Sequence, residues 1–147
     1  MNKLNCPRII LGAIAFLVVA QVMHIVSTML TMNYYTDANY FAVWSKIMMP
    51  AAGPPPAEFY YYSLAFSFII GLIYSYIYTN IRNVIKGTTV KKGLKYGFVI
   101  FLMAGIPYFL TTYLLINLPL SLLVYWLIID GLLTYLVGGI AIAWLNK

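Results

Sequence analysis

Charged side chains are scarce in this sequence. Aspartate, glutamate, lysine and arginine make up 8% of its 147 residues, whereas hydrophobic residues make up 63%. A soluble domain normally carries about 25% charged residues. The few charges are also absent from four long runs, which are residues 9–36, 59–81, 96–129 and 131–146. This composition argues against an ordinary soluble domain and directs attention to the uncharged runs.

The uncharged runs predict four transmembrane helices. A helix needs about 20 apolar residues to cross a hydrocarbon core of about 30 Å. The third run is too long for one crossing, and Asn117, Leu118 and Pro119 divide it. We therefore expect an all-α integral membrane protein with a four-transmembrane-helix bundle in a single membrane domain over residues 1–147. The spans are placed at about 9–32, 59–81, 96–116 and 119–145.

Cysteine and histidine are nearly absent as well. Cys6 is the single cysteine and His24 the single histidine, so an intramolecular disulfide is excluded and no Cys-x-x-Cys motif exists. A typical zinc or copper site needs three or four ligands. No nucleophile–base pair and no glycine-rich phosphate loop is recognisable. We expect no cofactor and no metal, and the sequence gives little support to an enzyme.

Basic residues lie almost entirely on one side of the predicted spans. Of the nine lysines and arginines, all except Lys46 fall on that side. Lysine and arginine are enriched in cytoplasmic segments, so we expect both termini in the cytoplasm, at a prokaryotic inner (cytoplasmic) membrane. The connection 82–95 is expected to contact anionic lipid headgroups through Arg82, Lys86, Lys91, Lys92 and Lys95. No aromatic-basic module accompanies these charges, so nucleic acid is not an expected partner.

The first external connection, at about 33–58, is long and aromatic. Apolar residues recur in it at three- and four-residue spacing between Asp37 and Pro50, which predicts a short amphipathic helix at the membrane interface. It is either an interfacial belt element, or a lid or docking surface. The two helical hairpins also align with each other, for example Gly71 with Gly131 and Asn33 with Asn117. This alignment suggests a duplicated helical hairpin.

Small side chains recur at every fourth position of the second span. The row consists of Ser63, Ser67, Gly71, Ser75 and Thr79. Helices in lipid associate through close packing and hydrogen bonds, so their contact faces favour small residues. The row therefore predicts a close helix crossing. Its occupant is either a neighbouring helix of the same chain or a helix of another subunit.

Four polar residues are predicted within the hydrocarbon. They are Gln21, His24, Tyr108 and Asp130. His24, Tyr108 and Asp130 lie at similar depth, so they meet if their helices share an interior face. An intramembrane ionisable residue is costly and is usually functional. The cluster is a structural tie between helices, a proton or ion site, or a ligand pocket, and Pro107 is expected to kink the third span beside it.

Three functions are compatible with these features. The few reactive groups and the row of small residues favour a non-catalytic accessory or scaffolding subunit of a larger membrane protein complex. The first alternative is a small oligomeric transporter or proton/ion conduit that uses Asp130 and His24. The second is a membrane enzyme that handles a lipid or quinone. The expected partners are the lipid bilayer and either other membrane subunits or further copies of the chain.

Overall fold

Four long helices form the protein. The computed structural model describes residues 6–51 and 53–147, and within these residues it contains no strand. Each long helix is apolar enough to cross a membrane by length and composition, which confirms the all-helical prediction. The helices are α1 (Cys6–Leu30), α2 (Ala57–Ile81), α3 (Thr89–Leu115) and α4 (Leu120–Leu145).

The helices do not pack in their order along the chain. α1 lies between α2 and α4, and α3 packs on the other side of α4. We call the end with residues 82–88 and 146–147 the basic end, and the end with residues 31–56 and 116–119 the loop end. α2 and α3 meet through side chains at the basic end, where the rings of Tyr78 and Tyr96 lie 5.1 Å apart. The relation between the two hairpins remains a prediction.

Helix α3 begins earlier than the sequence predicted. It starts at Thr89 rather than near residue 96, because the Thr88 side chain accepts a hydrogen bond from the Lys91 backbone N–H and caps the helix. Lys91, Lys92 and Lys95 therefore lie on the first turns of α3 and not in a connection. A lysine can sit on such a helix because its long side chain carries the charge to water.

The connection from α1 to α2 is less helical than predicted. It contains one helical turn, Met32–Tyr35, and a short 3-10 segment, Ala38–Val43. Asp37 does begin that segment, since its side chain accepts from the Asn39 backbone N–H. Trp44 then adopts an extended conformation, and its ring lies 4.9 Å from that of Tyr35. Packing of this large ring overrides the helical spacing that the sequence shows.

The basic-end half of the bundle is closely packed. A Cβ atom added to Gly97 of α3 would lie only 2.1 Å from the Tyr135 carbonyl oxygen of α4, so the two backbones touch there. Small residues allow this approach in apolar surroundings. Around the contact lies a buried core made of Phe16, Tyr78, Tyr96, Ile100, Ile142 and Ala143.

The row of small residues on α2 is covered by α1 of the same chain. A Cβ atom on Gly71 would lie 2.7 Å from the Ala13 carbonyl oxygen. Gln21 of α1 donates hydrogen bonds to Ser63 and Ser67, at 3.2 and 3.0 Å. Farther along, the row continues through Ser75 and Thr79, which contact Asn146 at the end of α4. Of the two predicted occupants of the row, the structure contains the neighbouring helix of the same chain, α1.

Both α3 and α4 contain a widened, π-helical segment. In α3 this segment is Phe101–Gly105, after which the Ile106 backbone N–H donates to the Phe101 carbonyl five residues earlier. Pro107 follows directly, so the chain accommodates the proline with a π-helical turn. In α4 the segment is Trp126–Leu133, and it contains Asp130. The two segments lie beside each other.

Candidate functional site

A hydrogen-bond contact joins α1 to α4. His24 Nδ1 lies 3.4 Å from Asp130 Oδ1. The His24 side chain is 42% exposed and that of Asp130 is 27% exposed, so the pair is accessible from one side. The widened turn of α4 helps to present Asp130, because an inserted residue rotates the side chains that flank it. The structure therefore places these two predicted site residues together.

Each partner has a second polar atom that makes no hydrogen bond within the described residues. Asp130 Oδ2 is buried and has no hydrogen-bond partner within the described residues. His24 Nε2 likewise makes no hydrogen bond to the described part of the chain, since the only contact of the ring is through Nδ1. Buried polar groups are nearly always hydrogen-bonded. The pair therefore offers two unused hydrogen-bonding positions.

A cavity of about 450 Å³ surrounds the pair, and we call it the aromatic chamber. Ile70 of α2 and Gly131 of α4 contribute to its walls together with His24 and Asp130. α2 and α3 face each other across this space. The ring side chains that line it are Tyr35, Phe59, Tyr108, Phe109, Trp126 and Tyr135.

A second cavity, of about 620 Å³, lies beneath the α1–α2 connection. We call it the methionine chamber. The two chambers share His24, Tyr35, Met48 and Phe59 as wall residues, so His24 stands where they meet. The aliphatic wall residues of the methionine chamber include Met29, Met32, Met48, Met49, Pro54 and Pro55. Methionine is flexible and fills irregular space, so such walls adapt to the shape of a bound molecule.

Aromatic rings pack against one another at the loop end, beside the chambers. The ring of Trp44 lies 4.9 Å from that of Tyr35 and 6.3 Å from that of Trp126. Tyr34 is hydrogen-bonded to Ser121 at 2.7 Å, which ties the connection to the start of α4. Burial raises the pKa of the Tyr35 phenol, so this wall residue is a neutral hydroxyl. The connection thus forms a cover over the site.

Gln21 and Tyr108 do not join the pair as the sequence predicted. Gln21 lies on the side of α1 that faces α2 and is used by Ser63 and Ser67. Tyr108 lines the aromatic chamber, but its side chain is 64% exposed and makes no hydrogen bond to another described residue. Of the four predicted residues, only His24 and Asp130 form a pair. Tyr108 lies at the mouth of the same chamber, and Gln21 lies apart.

Three of the five predicted headgroup contacts bind the protein backbone. Arg82 donates to the Asn146 carbonyl oxygen at 2.5 Å. Lys92 donates to the Arg82 carbonyl at 3.1 Å, and Lys95 donates to the Lys86 carbonyl at 3.0 Å. These cations satisfy carbonyl groups at the ends of α2 and α4 and in the connection that follows α2. Contact of the five residues with lipid headgroups remains a prediction.

The sequence reasoning missed most of the chamber walls. Tyr35, Phe59 and Trp126 are aromatic residues near the expected interface, where such rings are routine. One available signal was the placement of methionine. Four of the seven methionines, which are Met29, Met32, Met48 and Met49, lie close to the first connection. A local concentration of flexible apolar side chains is typical of an adaptable binding surface.

The site can bind and orient a hydrogen-bonding group in apolar surroundings. Among the described residues no three histidine, cysteine, aspartate or glutamate side chains gather in a metal-ligating group. Neither chamber has a lysine or arginine among its described wall residues. The chain was compared with protein-family models, curated proteins and solved structures, and none of them matches it.

Proposed function

We propose that this chain is an integral membrane protein that binds one apolar-tailed molecule from the surrounding bilayer. The observation that carries the proposal is the pair of apolar chambers with one polar pair, His24 and Asp130, at their junction. Binding sites for small molecules are mostly apolar cavities of about 300–1,000 Å³ with a few polar groups that orient the ligand. Each chamber falls within that range.

The cost of the polar pair supports a binding role. An ionisable residue in a membrane-spanning helix costs several kcal/mol on common scales and is retained mostly for function. A purely structural tie would be expected to use all its hydrogen-bonding atoms. His24 Nε2 and Asp130 Oδ2 instead have no partner in the described chain. A ligand group at His24 Nε2 would complete the hydrogen bonding of the imidazole ring.

The orientation in the membrane follows from the charges. We propose that the basic end lies at the cytoplasmic face, because lysine and arginine favour that side. The chambers then lie in the opposite leaflet, beneath the aromatic cover. A ligand enters sideways between α2 and α3, whose loop-end halves are separated by the aromatic chamber. Tyr108 is exposed at that entrance.

The geometry gives less support to a proton or ion conduit. The basic-end half beneath the pair is filled by the buried core around Phe16, Ile100 and Ile142. The Tyr96 hydroxyl donates to the Tyr74 backbone carbonyl, and a carbonyl has no proton to pass on. A chain of hydroxyl groups through the bundle is therefore interrupted there. The conduit remains the alternative that flux measurements in liposomes would revive.

The accessory-subunit hypothesis also loses one of its arguments. The scarcity of reactive groups and the row of small residues on α2 both supported it, and that row is used by α1 and Asn146. What the helices offer outward is large apolar side chains such as Met103 and Leu114, which suit lipid as well as a partner. A role as accessory or scaffolding subunit stays a prediction without a specific contact surface.

The test is to identify what remains bound after gentle extraction. The full chain is purified in mild detergent, and its bound organic molecules are measured by mass spectrometry. Ile70→Trp places a bulky ring in the aromatic chamber, whereas Ile69→Trp alters the neighbouring, exposed position outside its walls. We expect one compound to be retained by the wild type and Ile69→Trp and lost from Ile70→Trp. Equal retention by both variants would contradict the proposal.

A further inference from the structure

We infer that the ligand of this site is a quinone or quinol with a hydrocarbon tail. The inference rests on the proposed function and names the chemical class of the molecule bound. The flat ring occupies the aromatic chamber, the hydrocarbon tail occupies the methionine chamber, and an oxygen on the ring meets the His24–Asp130 pair. Three separate features of the walls lead to this assignment.

The first feature is the density of rings around one end of the site. Six aromatic side chains line the aromatic chamber, among them Trp126 and Tyr135 of α4 and Phe109 of α3. Aromatic rings attract one another in offset-stacked and edge-to-face arrangements, which adds stabilisation beyond the burial of area. A saturated chain gains none of this directional interaction. The walls therefore favour a flat ring over an alkyl chain in this chamber.

The second feature is the chemistry of the unused polar atoms. If Asp130 holds the proton, it donates to His24 Nδ1, and Nε2–H is then free to donate to a quinone carbonyl. If Asp130 is ionised, it accepts from Nδ1–H, and Nε2 accepts from a quinol hydroxyl. Neutral imidazole always has one donor and one acceptor nitrogen. The pair can therefore bind both forms of the ring, and no electron transfer is needed for binding.

The third feature is the absence of a cation from the described walls. No lysine or arginine lines either chamber, so a phosphate headgroup would enter without a counter-charge. A fatty-acid carboxylate would meet the carboxyl group of Asp130 and repel it when both are ionised. Bringing an uncompensated charge into apolar surroundings is costly. An uncharged head with a flexible tail fits these walls better than an anionic lipid.

The test uses tryptophan fluorescence, which a bound quinone quenches at short range. In one full-length variant, Trp44→Phe and Trp144→Phe leave Trp126 in the chamber wall as the sole reporter. In the matched control, Trp44→Phe and Trp126→Phe leave Trp144, which is exposed near the basic end. Each protein in detergent is titrated with decylubiquinone. We expect saturable quenching of Trp126 and only gradual, non-saturating quenching of Trp144.

Two further measurements decide the polar contact and the ligand class. His24→Leu in the Trp126 reporter should raise the apparent Kd for decylubiquinone roughly tenfold, the effect of losing one hydrogen bond of about 1.4 kcal/mol. An unchanged Kd would overturn the contact to His24. Thermal unfolding of the wild-type chain with decylubiquinone or with dodecanol compares the ring compound with a simple alkyl chain and does not depend on the tryptophan variants.

The outcomes separate this inference from the proposed function. Saturable quenching of Trp126 and a higher unfolding temperature with decylubiquinone support both. Stabilisation by dodecanol with none by decylubiquinone would overturn the ring assignment and leave an apolar-tailed ligand in place. Stabilisation by neither compound, together with non-saturating quenching of Trp126, would overturn the quinone assignment. The proposed function is tested separately by the retention experiment. It would fail only if the purified wild-type protein retained no compound, or retained only compounds that Ile70→Trp retains as well.

Discussion

One asparagine joins α4 to α2 by hydrogen bonds at the basic end and packs against α1. The Asn146 side chain is 1% exposed and donates hydrogen bonds to Ser75 Oγ and to the Ile142 carbonyl, at 3.1 and 3.0 Å. It also accepts a hydrogen bond from Thr79 at 3.2 Å. Gly12 of α1 leaves room for it, because an added Cβ would lie 2.7 Å from Asn146 Nδ2. The polar side chain of Asn146 therefore contributes to helix packing rather than to a reactive site.

Asn146→Ala should destabilise the bundle by about 1–3 kcal/mol, because it leaves buried hydroxyl groups without a partner. The measurement is reversible unfolding of the purified protein in mixed detergent. Asn80→Ala is the matched control, since Asn80 is exposed and bonds only to the Tyr76 carbonyl of its own helix. We expect the control to change stability by no more than about 0.5 kcal/mol. Equal effects of the two variants would contradict this account.

Replacing both residues of the His24–Asp130 pair should cost less stability than replacing one of them. His24→Leu and Asp130→Leu each leave one polar partner unpaired and should cost about 1–3 kcal/mol. The double variant replaces the pair by apolar groups, which is often neutral or stabilising. We therefore expect it to be more stable than either single variant. A double-mutant cycle on ligand-free protein measures this coupling, and additive losses would show that the two residues act independently.

The helices differ in how tightly their two halves pack. In the basic-end half, glycines bring the backbones of α3 and α4 into contact. Beyond the π-helical segment Phe101–Gly105, α3 keeps its main contact with α4 and leaves the aromatic chamber between itself and α2. The closely packed basic-end half of the bundle thus supports the more open loop-end half. Sites held by such a rigid support are better ordered than sites on mobile connections.

Gly97→Ala tests this division between the halves. The added methyl group would meet the Tyr135 carbonyl at 2.1 Å, so the backbones must separate, at a cost of about 1–3 kcal/mol. Gly131→Ala is the control in α4, because its nearest contact would be an ordinary 3.4 Å from Phe101. We expect the control to be neutral or slightly stabilising, since alanine favours helix over glycine. Thermal unfolding in detergent distinguishes the two.

Much of the whole molecule could be predicted from its sequence. Uncharged runs predicted four long helices, because crossing hydrocarbon excludes charge regardless of how the helices pack. The pairing of His24 with Asp130 followed from their similar depth and from the cost of leaving either residue in lipid. Pro107 directly follows the π-helical segment Phe101–Gly105 and Ile106, and the kink expected beside it stays a prediction.

The remaining features depend on packing that a single sequence does not show. Gln21 and His24 are three residues apart and were expected on one face, yet α1 is contacted by α2 on one side and α4 on the other. The residues that Gln21 and His24 contact therefore depend on which helix packs on which side of α1. The π-helical segment around Asp130 changes which side chains share a face, and no local residue pattern predicts it. The chamber walls come from all four helices and the cover.

Orientation in the membrane is a property of the whole chain and can be tested with its native cysteine. Cys6 is exposed near the basic end. A maleimide that does not cross membranes should label Cys6 only after cells are permeabilised. With Cys6→Ser as background, Asn39→Cys in the exposed α1–α2 connection should be labelled in intact cells. The reverse pattern would place the basic end outside and overturn the orientation argued from the charges.

The widened turn at Trp126–Leu133 has a consequence for how this chain can change over generations. It places Asp130 on a wide turn, which sets the side chains that flank His24 and the aromatic chamber. Deleting one residue there would return the segment to regular helix and change which of its side chains face the chamber. Insertions and deletions should therefore be tolerated in the cover and excluded from this turn.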